Sequence, residues 1–273
     1  VLEIHKGEAD LSRRAVSYEL KGLSFREYLT LEGEPVGDAI NLEEIFKKHL
    51  QLAQDLKFNK KILLHFRNYL EGGYYPFYRE GEHSYHGKLN NVIQLSIESD
   101  IPAMFKTEYK TINKLKRLMY LVSTSVPYVP NITKLAQNLE TSSRTSALQY
   151  IDYLEKANLI SCLKTSAKGN NYLVKPDKIY LENTNLLKSI GHEEIQDGTI
   201  RETFFYNQMG VKNQVNTSKE SDFLVNQKFT IEVGGKGKTS SQIKGVKNAF
   251  IAADNIEIGF GNKIPLWMFG LTY

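Results

Sequence analysis

The clearest structural signal in the chain is SDFLVNQKFTIEVGGK, residues 221–236. Apolar, aromatic and β-branched residues stand on both sides of a polar Asn-Gln-Lys break, which predicts two short strands joined by a turn. Asp222 opens the first strand, and Glu232 lies near the end of the second. A hairpin can place two such carboxylates at one edge of a sheet, where carboxylates bind divalent cations. Asp222 and Glu232 are therefore candidate metal ligands.

A helix-like segment, Gln242 to Phe250, follows the hairpin. Asp222, a hairpin, Glu232 and a helix entered through Gln242 resemble the core of the restriction-endonuclease-like nucleases. In that family a lysine two residues after the glutamate polarises the attacking water, but position 234 is glycine here and the nearest lysine is Lys236. A displacement of about 1 Å can cost roughly a hundredfold in rate. The resemblance thus implies a nuclease-like scaffold without activity, its two acids solvated or paired.

Composition indicates an ordinary globular protein. The 273 residues are enough for two or three domains, and 41% of them are hydrophobic and 24% charged. No apolar run is long enough to cross a membrane, and no signal-peptide pattern opens the chain. Cys162 is the single cysteine, so no intrachain disulfide or zinc cluster is expected. These features predict a cytoplasmic location without a membrane partner. Because the chain begins at Val1, we expect it to be a segment of a longer protein.

The positive charge is concentrated in the middle of the chain. Basic residues outnumber acidic ones 11 to 4 in residues 106–175, a net charge of +7. The counts are 13 against 16 in residues 1–105 and 11 against 11 in residues 176–273. Such a concentration favours a polyanionic partner, although a solvated basic face is the alternative.

Residues 106–175 have the organisation of three helices followed by a hairpin. Apolar residues recur at helical spacing over 112–122, 132–139 and 143–159, and strands are expected at 160–164 and 172–174. This order resembles a winged helix, whose third helix enters the major groove of double-stranded DNA while its wing follows the backbone. The candidate contacts are Arg144, Thr145 and Gln149 on the helix, and Lys164, Lys168 and Asn170 on the wing. Many winged helices bind proteins instead, and Asp152 on the same helix argues against DNA.

Four further segments resemble a family of predicted AAA-type ATPases that carry a C-terminal domain of unknown function with a nuclease-like core. The segments are Ser12-Arg13-Arg14 with the strand and capping box after it (Leu23 to Leu29), Tyr69 to Pro76, Arg201 to Gln208, and Ile231 to Lys236. Together they span nearly the whole chain.

The AAA resemblance implies that ATP and Mg²⁺ are bound by an upstream P-loop half. Gly237-Lys238-Thr239 matches only the tail of a P-loop, because Glu232 stands where the first glycine belongs. This chain alone is therefore expected neither to bind these cofactors tightly nor to hydrolyse ATP. The resemblance also implies Arg13 or Arg14 as an arginine finger to a neighbouring subunit, and hence a homo-oligomer. The alternative is that both arginines are solvated or paired with nearby acids.

Residues 177–273 are expected to form the nuclease-like core. Strands are predicted at 179–181, 256–260 and 264–269, with a helix over 201–209. Glu202 on that helix often joins the acidic site in folds of this kind, although an acid is favoured near a helix N-terminus in any case.

These observations predict a mixed α/β chain. Residues 1–105 would be the distal ATPase region with its helical lid, residues 106–176 a winged helix, and residues 177–273 a restriction-endonuclease-like mixed sheet with flanking helices. The expected function is the distal part of an AAA-type ATPase that contacts nucleic acid. One alternative is a DNA-binding or protein-interaction module without catalysis. The second is a metal-dependent nuclease that uses Glu202, Asp222, Glu232, Lys236 and Gln242.

Overall fold

The structure is a computed structural model that describes residues 19–141, 143–165, 174–190 and 195–273. Its α-helices are α1 (Phe25–Leu31), α2 (Leu42–Asp55), α3 (Ile62–Gly72), α4 (Glu82–Leu95), α5 (Ile101–Phe105), α6 (Tyr109–Ser123), α7 (Ile132–Asn138), α8 (Arg144–Lys156), α9 (Thr184–Ile190) and α10 (Asp197–Gly210). The strands are β1 (Ile160–Leu163), β2 (Lys178–Leu181), β3 (Val215–Thr217), β4 (Phe223–Val225), β5 (Phe229–Gly234), β6 (Ala249–Ala253) and β7 (Lys263–Pro265). Short 3-10 helices cover Pro76–Glu80 and Leu266–Leu271, and a π-helical turn covers Ser96–Asp100. The mixed α/β class is confirmed.

The C-terminal region contains a five-stranded sheet in the order β3-β4-β5-β6-β7. The first three strands are antiparallel neighbours, whereas β5, β6 and β7 are parallel. The predicted hairpin of β4 and β5 is present, and its turn residues Asn226 and Gln227 have φ of 53° and 55°. Two positive φ values are typical of a type I′ turn, whose twist matches that of paired strands. The helix α10 precedes this sheet and packs against β5.

Three predicted elements of this region are wrong in whole or in part. The strand predicted at 264–269 continues only to Pro265, and Leu266–Leu271 form a 3-10 helix. The segment Gln242 to Phe250 forms turns rather than a helix, and its last two residues belong to β6. Apolar residues at 243, 246, 249 and 250 imitate helical spacing, but Gly245 at φ 82° and Asn248 at φ 53° interrupt any helix. In the predicted strand at 256–260, only Phe260 forms a β-bridge, with Lys263.

The middle of the chain has the topology of a winged helix. The helices α6, α7 and α8 are followed by β1 and β2, which pair in antiparallel fashion. Tyr128, between α6 and α7, forms an antiparallel bridge with Ile179 of β2. The strand at 179–181 therefore pairs with β1 and not with the C-terminal sheet, which corrects its predicted place. The predicted wing strand at 172–174 lies almost entirely outside the described residues.

Two large hydrophobic cores hold these elements together. One core joins residues 25–74 to the sheet and to α10. Within it, Phe46 of α2 packs against Phe229 of β5 and Phe250 of β6. The other core joins the winged helix to α4 and α9. The packing therefore differs from the predicted division at residues 105 and 176: the second core extends over residues 85–187.

The predicted capping box of α1 is present, since the Ser24 hydroxyl accepts from the Glu27 amide and the Glu27 carboxylate accepts from the Ser24 amide. Most of the strand expected just before it, at 16–20, lies outside the described residues. Within the ranges given above, no helix combines the length and the apolar character needed to cross a membrane.

Candidate functional site

The hairpin of β4 and β5 brings two predicted acids to one place. Asp222 lies just before β4, and Glu232 lies on β5 with its side chain 2% exposed. Because Phe223 pairs with Ile231, the Asp222 carboxylate is next to the end of β5. Its Oδ2 accepts a hydrogen bond of 2.8 Å from the amide of Val233. The two carboxylates are thus neighbours on the sheet.

The lysine beside these acids is Lys238, not the predicted Lys236. Lys236 is exposed, whereas the ammonium of Lys238 forms an ion pair with Glu232 Oε1. The Lys238 side chain folds back over Gly234, so that a Cβ at position 234 would lie 2.8 Å from Lys238 Cβ and Cγ. Glycine at 234 therefore makes room for an amine that arrives from four residues further along the chain.

A third carboxylate comes from the helix α10. Glu202 Oε2 accepts a hydrogen bond of 2.7 Å from the Tyr180 hydroxyl and lies 3.7 Å from the ammonium of Lys178. The charges of Asp222 and Glu202 act on the same ammonium, that of Lys238. We call Glu202, Asp222, Glu232 and Lys238 the acidic cluster.

Burial and mutual repulsion set the protonation of the acidic cluster. Burial raises the pKa of Glu232, the charge of Asp222 raises it further, and Lys238 opposes both. Burial also raises the pKa of Glu202, partly offset by the hydrogen bond from Tyr180. The hydrogen bond to Glu232 raises the pKa of Lys238. The ammonium thus stabilises the ionised form of a carboxylate that burial disfavours.

The acidic cluster has the donor chemistry of a magnesium site, but its present geometry is that of an ion pair. Glu232 Oε2 is buried and has no hydrogen-bond partner among the described residues. Carboxylate oxygens are the protein ligands that Mg²⁺ prefers. In the part of the chain that the structure describes, no three His, Cys, Asp or Glu side chains are arranged to hold a metal ion. Gln242, the remaining residue predicted for this site, is exposed in the turns after β5.

The predicted nucleic-acid contacts on α8 lie on its surface. Ser143 caps this helix by accepting from the amide of Ser146 at 3.1 Å. Arg144 and Thr145 are exposed in the first turn, and Gln149 is exposed one turn later. These three side chains therefore lie on the half of the helix that a winged helix presents to DNA.

The remaining predicted contacts are differently placed. The ammonium of Lys164 lies 3.4 Å from Glu155, so this lysine is tied to the helix α8. Asp152, which argued against DNA, forms an ion pair of 2.8 Å with Lys156, and this pairing reduces its repulsion of phosphate. Lys168, Asn170, Arg13 and Arg14 lie outside the described residues.

Sequence reasoning missed three residues around the acidic cluster. Lys238 could have been found from the Gly234-Gly235 pair, because two glycines leave room for a later side chain to fold back. Lys178 and Tyr180 had no comparable signal, since their contacts with Glu202 depend on the packing of β2 against α10.

Comparisons with known proteins add a family of unknown function and a distant relative. Residues 63–194 match the model of a family described as "Domain of unknown function (DUF8612)". An uncharacterized protein of Methanocaldococcus jannaschii, MJ1637, is 24% identical over 278 residues, covering 92% of this chain and 57% of the relative. The chain thus spans little more than half the length of the curated relative that it matches. No solved structure matches it.

Proposed function

We propose that this chain is the distal, nucleic-acid-contacting part of an AAA-type ATPase. The observation that supports the contact most strongly is the exposed, capped N-terminal half of α8, which carries Arg144, Thr145 and Gln149. This helix belongs to a winged-helix topology in the part of the sequence with a net charge of +7. Both features suit a partner with a phosphate backbone.

The side chains of α8 would contribute to the proposed contact in two ways: they would attract the phosphate backbone, and they would position the helix in the major groove. The guanidinium of Arg144 would bind phosphate or guanine with two parallel hydrogen bonds. Thr145 and Gln149 would donate to phosphates and base edges as α8 enters the major groove. The exposed Lys134 on α7 adds positive charge to the same unit.

Fluorescence anisotropy with a labelled DNA duplex tests the contact. If about four phosphates are neutralised, affinity falls roughly a hundredfold between 50 and 200 mM salt. Arg144→Ala should weaken binding and reduce the salt slope by about one. Arg79→Ala, an exposed arginine in the 3-10 helix Pro76–Glu80, is the matched control and should bind like the unchanged chain. Binding that depends neither on salt nor on Arg144 would count against the proposed contact.

The ATPase part of the proposal is supported by the resemblance of Ser12-Arg13-Arg14 and the three later segments, and by a relative with further chain length. ATP and Mg²⁺ would be bound by the upstream half. This chain alone should show no turnover with ATP and magnesium, and turnover would defeat that expectation. When the chain is joined to a P-loop half, Arg13→Ala or Arg14→Ala should abolish hydrolysis. A cytoplasmic location belongs to the same proposal, and the free, buried thiol of Cys162 is compatible with it.

A second candidate function, a metal-dependent nuclease, is favoured by the position of Lys238. The ammonium of this lysine lies against Glu232 Oε1, while Oε2 of the same carboxylate has no partner among the described residues. Asp222 and Glu232 would hold Mg²⁺, which supplies positive charge beside the scissile phosphate when it is bound. Lys238 would then orient the attacking water, because its ammonium donates hydrogen bonds at the same carboxylate.

Cleavage of supercoiled plasmid with Mg²⁺ or Mn²⁺ tests this candidate. Activity should be lost in Asp222→Asn and Lys238→Met and retained in Lys236→Met, whose side chain is exposed. If cleavage is lost in Lys236→Met and retained in Lys238→Met, the lysine that orients the water is Lys236, as the sequence predicted. If the unchanged chain does not cleave the plasmid, the acidic cluster is a structural ion pair and not a catalytic site.

A further inference from the structure

The strand β2 contributes side chains to both hydrophobic cores. Side chains alternate between the faces of a strand, and here Ile179 and Leu181 belong to the core of the winged helix. Tyr180 belongs to the core of the C-terminal sheet. Lys178 lies on the same face as Tyr180, since both side chains reach Glu202. The strand that returns from the wing therefore has one face in each unit.

The face toward the C-terminal sheet contacts the acidic cluster directly. The Tyr180 hydroxyl donates to Glu202 Oε2 at 2.7 Å, and its ring packs on Tyr206 and Phe223 with centroids 5.3 and 6.1 Å away. The ammonium of Lys178 lies 3.7 Å from the same oxygen, and this side chain keeps 26% of its surface exposed. Tyr180 is thus fixed in place, whereas Lys178 remains accessible at the rim of the acidic cluster.

Hydrogen bonds also tie the base of the wing to the C-terminal sheet. Asp177 Oδ2 accepts from the Thr165 amide and hydroxyl, both at 2.6 Å, and from the Thr217 hydroxyl at 2.9 Å. The carbonyl of Lys164 accepts from the Asn216 side-chain amide at 3.0 Å. The described residues at the two ends of the β1–β2 connection, Lys164 and Asp177, are therefore both hydrogen-bonded to β3.

We propose that the acidic cluster is shared between the two units: Lys178 binds a backbone phosphate of a nucleic acid strand at the cluster, and Tyr180 is a positioning residue that holds Glu202. The strand β2 contributes Tyr180 and Lys178 to the acidic cluster, although its other face belongs to the core of the winged helix. The partly exposed side chain of Lys178 offers charge-assisted hydrogen bonds to a phosphodiester. This inference deepens the second candidate function and rests on it for the cleavage readouts.

The Tyr180→Phe variant tests the positioning role. It removes a hydrogen bond to the ionised Glu202, so the pKa of Glu202 should rise and the acid limb of the pH–rate profile should move to higher pH. Tyr206→Phe is the matched control, because its ring packs on the same Tyr180 and Phe223. The control should keep the profile of the unchanged chain. An unmoved profile in Tyr180→Phe would overturn the positioning role.

The Lys178→Met variant tests the phosphate contact. KM for a DNA substrate should rise roughly tenfold, the equivalent of one charge-assisted hydrogen bond, with kcat changed much less. Lys212→Met, an exposed lysine beside a separate cavity with Asn41 and Glu43, should leave KM unchanged. An unchanged KM in Lys178→Met would exclude the contact.

Two further measurements distinguish failure of this inference from failure of the nuclease proposal. An NMR titration of ¹³C-labelled glutamate carboxyls follows Glu202 without any cleavage, and Tyr180→Phe should still raise its pKa. Anisotropy should show weaker DNA binding and a salt slope reduced by about one in Lys178→Met. The unchanged chain could fail to cleave DNA while Tyr180→Phe still raises the pKa of Glu202 and Lys178→Met still weakens DNA binding. In that case only the nuclease proposal fails. If neither shift occurs, the shared cluster is wrong whether or not the chain cleaves.

Discussion

Lys238 shows how a small residue at one position determines the chemistry at another. Gly234 has no side chain, and the methylenes of Lys238 occupy the space that a Cβ would need. The ammonium then meets Glu232, whose pKa burial has raised. The ion pair therefore offsets part of the cost of ionising a carboxylate inside the protein.

We predict that Lys238→Met destabilises the protein more at pH 8 than at pH 5. Without the ammonium the pKa of Glu232 rises further, so stability is lost as the pH rises above the unfolded value of about 4.3. We expect a loss of about 1–2 kcal/mol at pH 8, below that of a fully buried pair, because Lys238 is 34% exposed. Urea unfolding at both pH values measures it, with Lys236→Met as the control. An equal loss of unfolding free energy at both pH values would show that the ammonium of Lys238 does not affect the pKa of Glu232.

A second buried pair, Glu34 with His65, joins the α1–α2 connection to α3. Glu34 accepts from the amides of Asn59 at 2.6 Å and Lys60 at 3.2 Å and faces His65 Nε2 at 2.7 Å. Burial acts to raise the pKa of Glu34, but these hydrogen bonds outweigh it and lower the pKa overall. The stability that Glu34 contributes is therefore present above its unfolded pKa and is lost as the pH falls through the folded value.

We predict that Glu34→Gln costs about 2–4 kcal/mol at pH 7 and less as the pH falls through the lowered pKa of Glu34, where the carboxyl of the unchanged chain becomes protonated. Thermal or urea unfolding across this range measures the difference. Glu44→Gln removes an exposed pair with Lys48 and should cost less than about 0.5 kcal/mol. A cost that stays constant as the pH falls through the pKa of Glu34 would mean that the charge of Glu34 is not the stabilising feature.

At the scale of elements, the connection between β5 and β6 shows where sequence patterns mislead. The hairpin of β4 and β5, the capping box of α1 and the three helices of the middle region follow from local patterns, and all are present. The connection has apolar residues at helical spacing, yet it forms turns that bury Ile243 against β6. Periodicity reports which residues are buried, and burial under a short turn can produce the same spacing as a helix face.

We predict that Gly245→Ala destabilises the protein by about 1 kcal/mol, because φ at this position is 82° and an L-residue is strained there. Gly237 is a matched control: at both glycines an added Cβ would have no atom within 4 Å, and only Gly245 has a positive φ. Gly237→Ala should therefore be close to neutral. Equal effects in a urea titration would indicate that the backbone at 245 is free to relax.

In the acidic cluster too, residues that are close in sequence could be placed from the sequence, and residues that meet only through the fold could not. Asp222 and Glu232 could be placed together from the sequence because one hairpin carries both. Tyr180 and Lys178 could not, since 22 residues separate Tyr180 from Glu202 and the contact depends on which sheet β2 joins. The exposed positions of α8 were predictable from its periodicity, because that helix has one apolar face in the core of the winged helix.

At the scale of the whole molecule, the winged helix lies between the two sequence segments that build the other core. Residues 25–74 and residues 204–271 share a core although the middle unit separates them in sequence. Phe66 of α3, for example, packs edge-on against Phe204 of α10 with centroids 4.7 Å apart. The sheet is therefore completed by helices from the opposite end of the described chain.

We predict that residues 195–273 expressed alone do not fold, because the apolar side chains that they bury against residues 25–74 would be exposed. An ¹H–¹⁵N NMR spectrum with narrow amide dispersion is the expected result. Adding residues 19–190 as a separate chain should restore dispersion if the shared core can assemble in trans. A well-dispersed spectrum of the fragment alone would show that the C-terminal sheet is an independent domain.

Amide chemical-shift mapping with an unlabelled DNA duplex tests the proposed contact of α8 with nucleic acid, residue by residue. The largest shifts should fall in the first two turns of α8, at Arg144, Thr145 and Gln149, and should diminish as salt is added. Shifts confined to other surfaces, or no shifts at low salt, would contradict it.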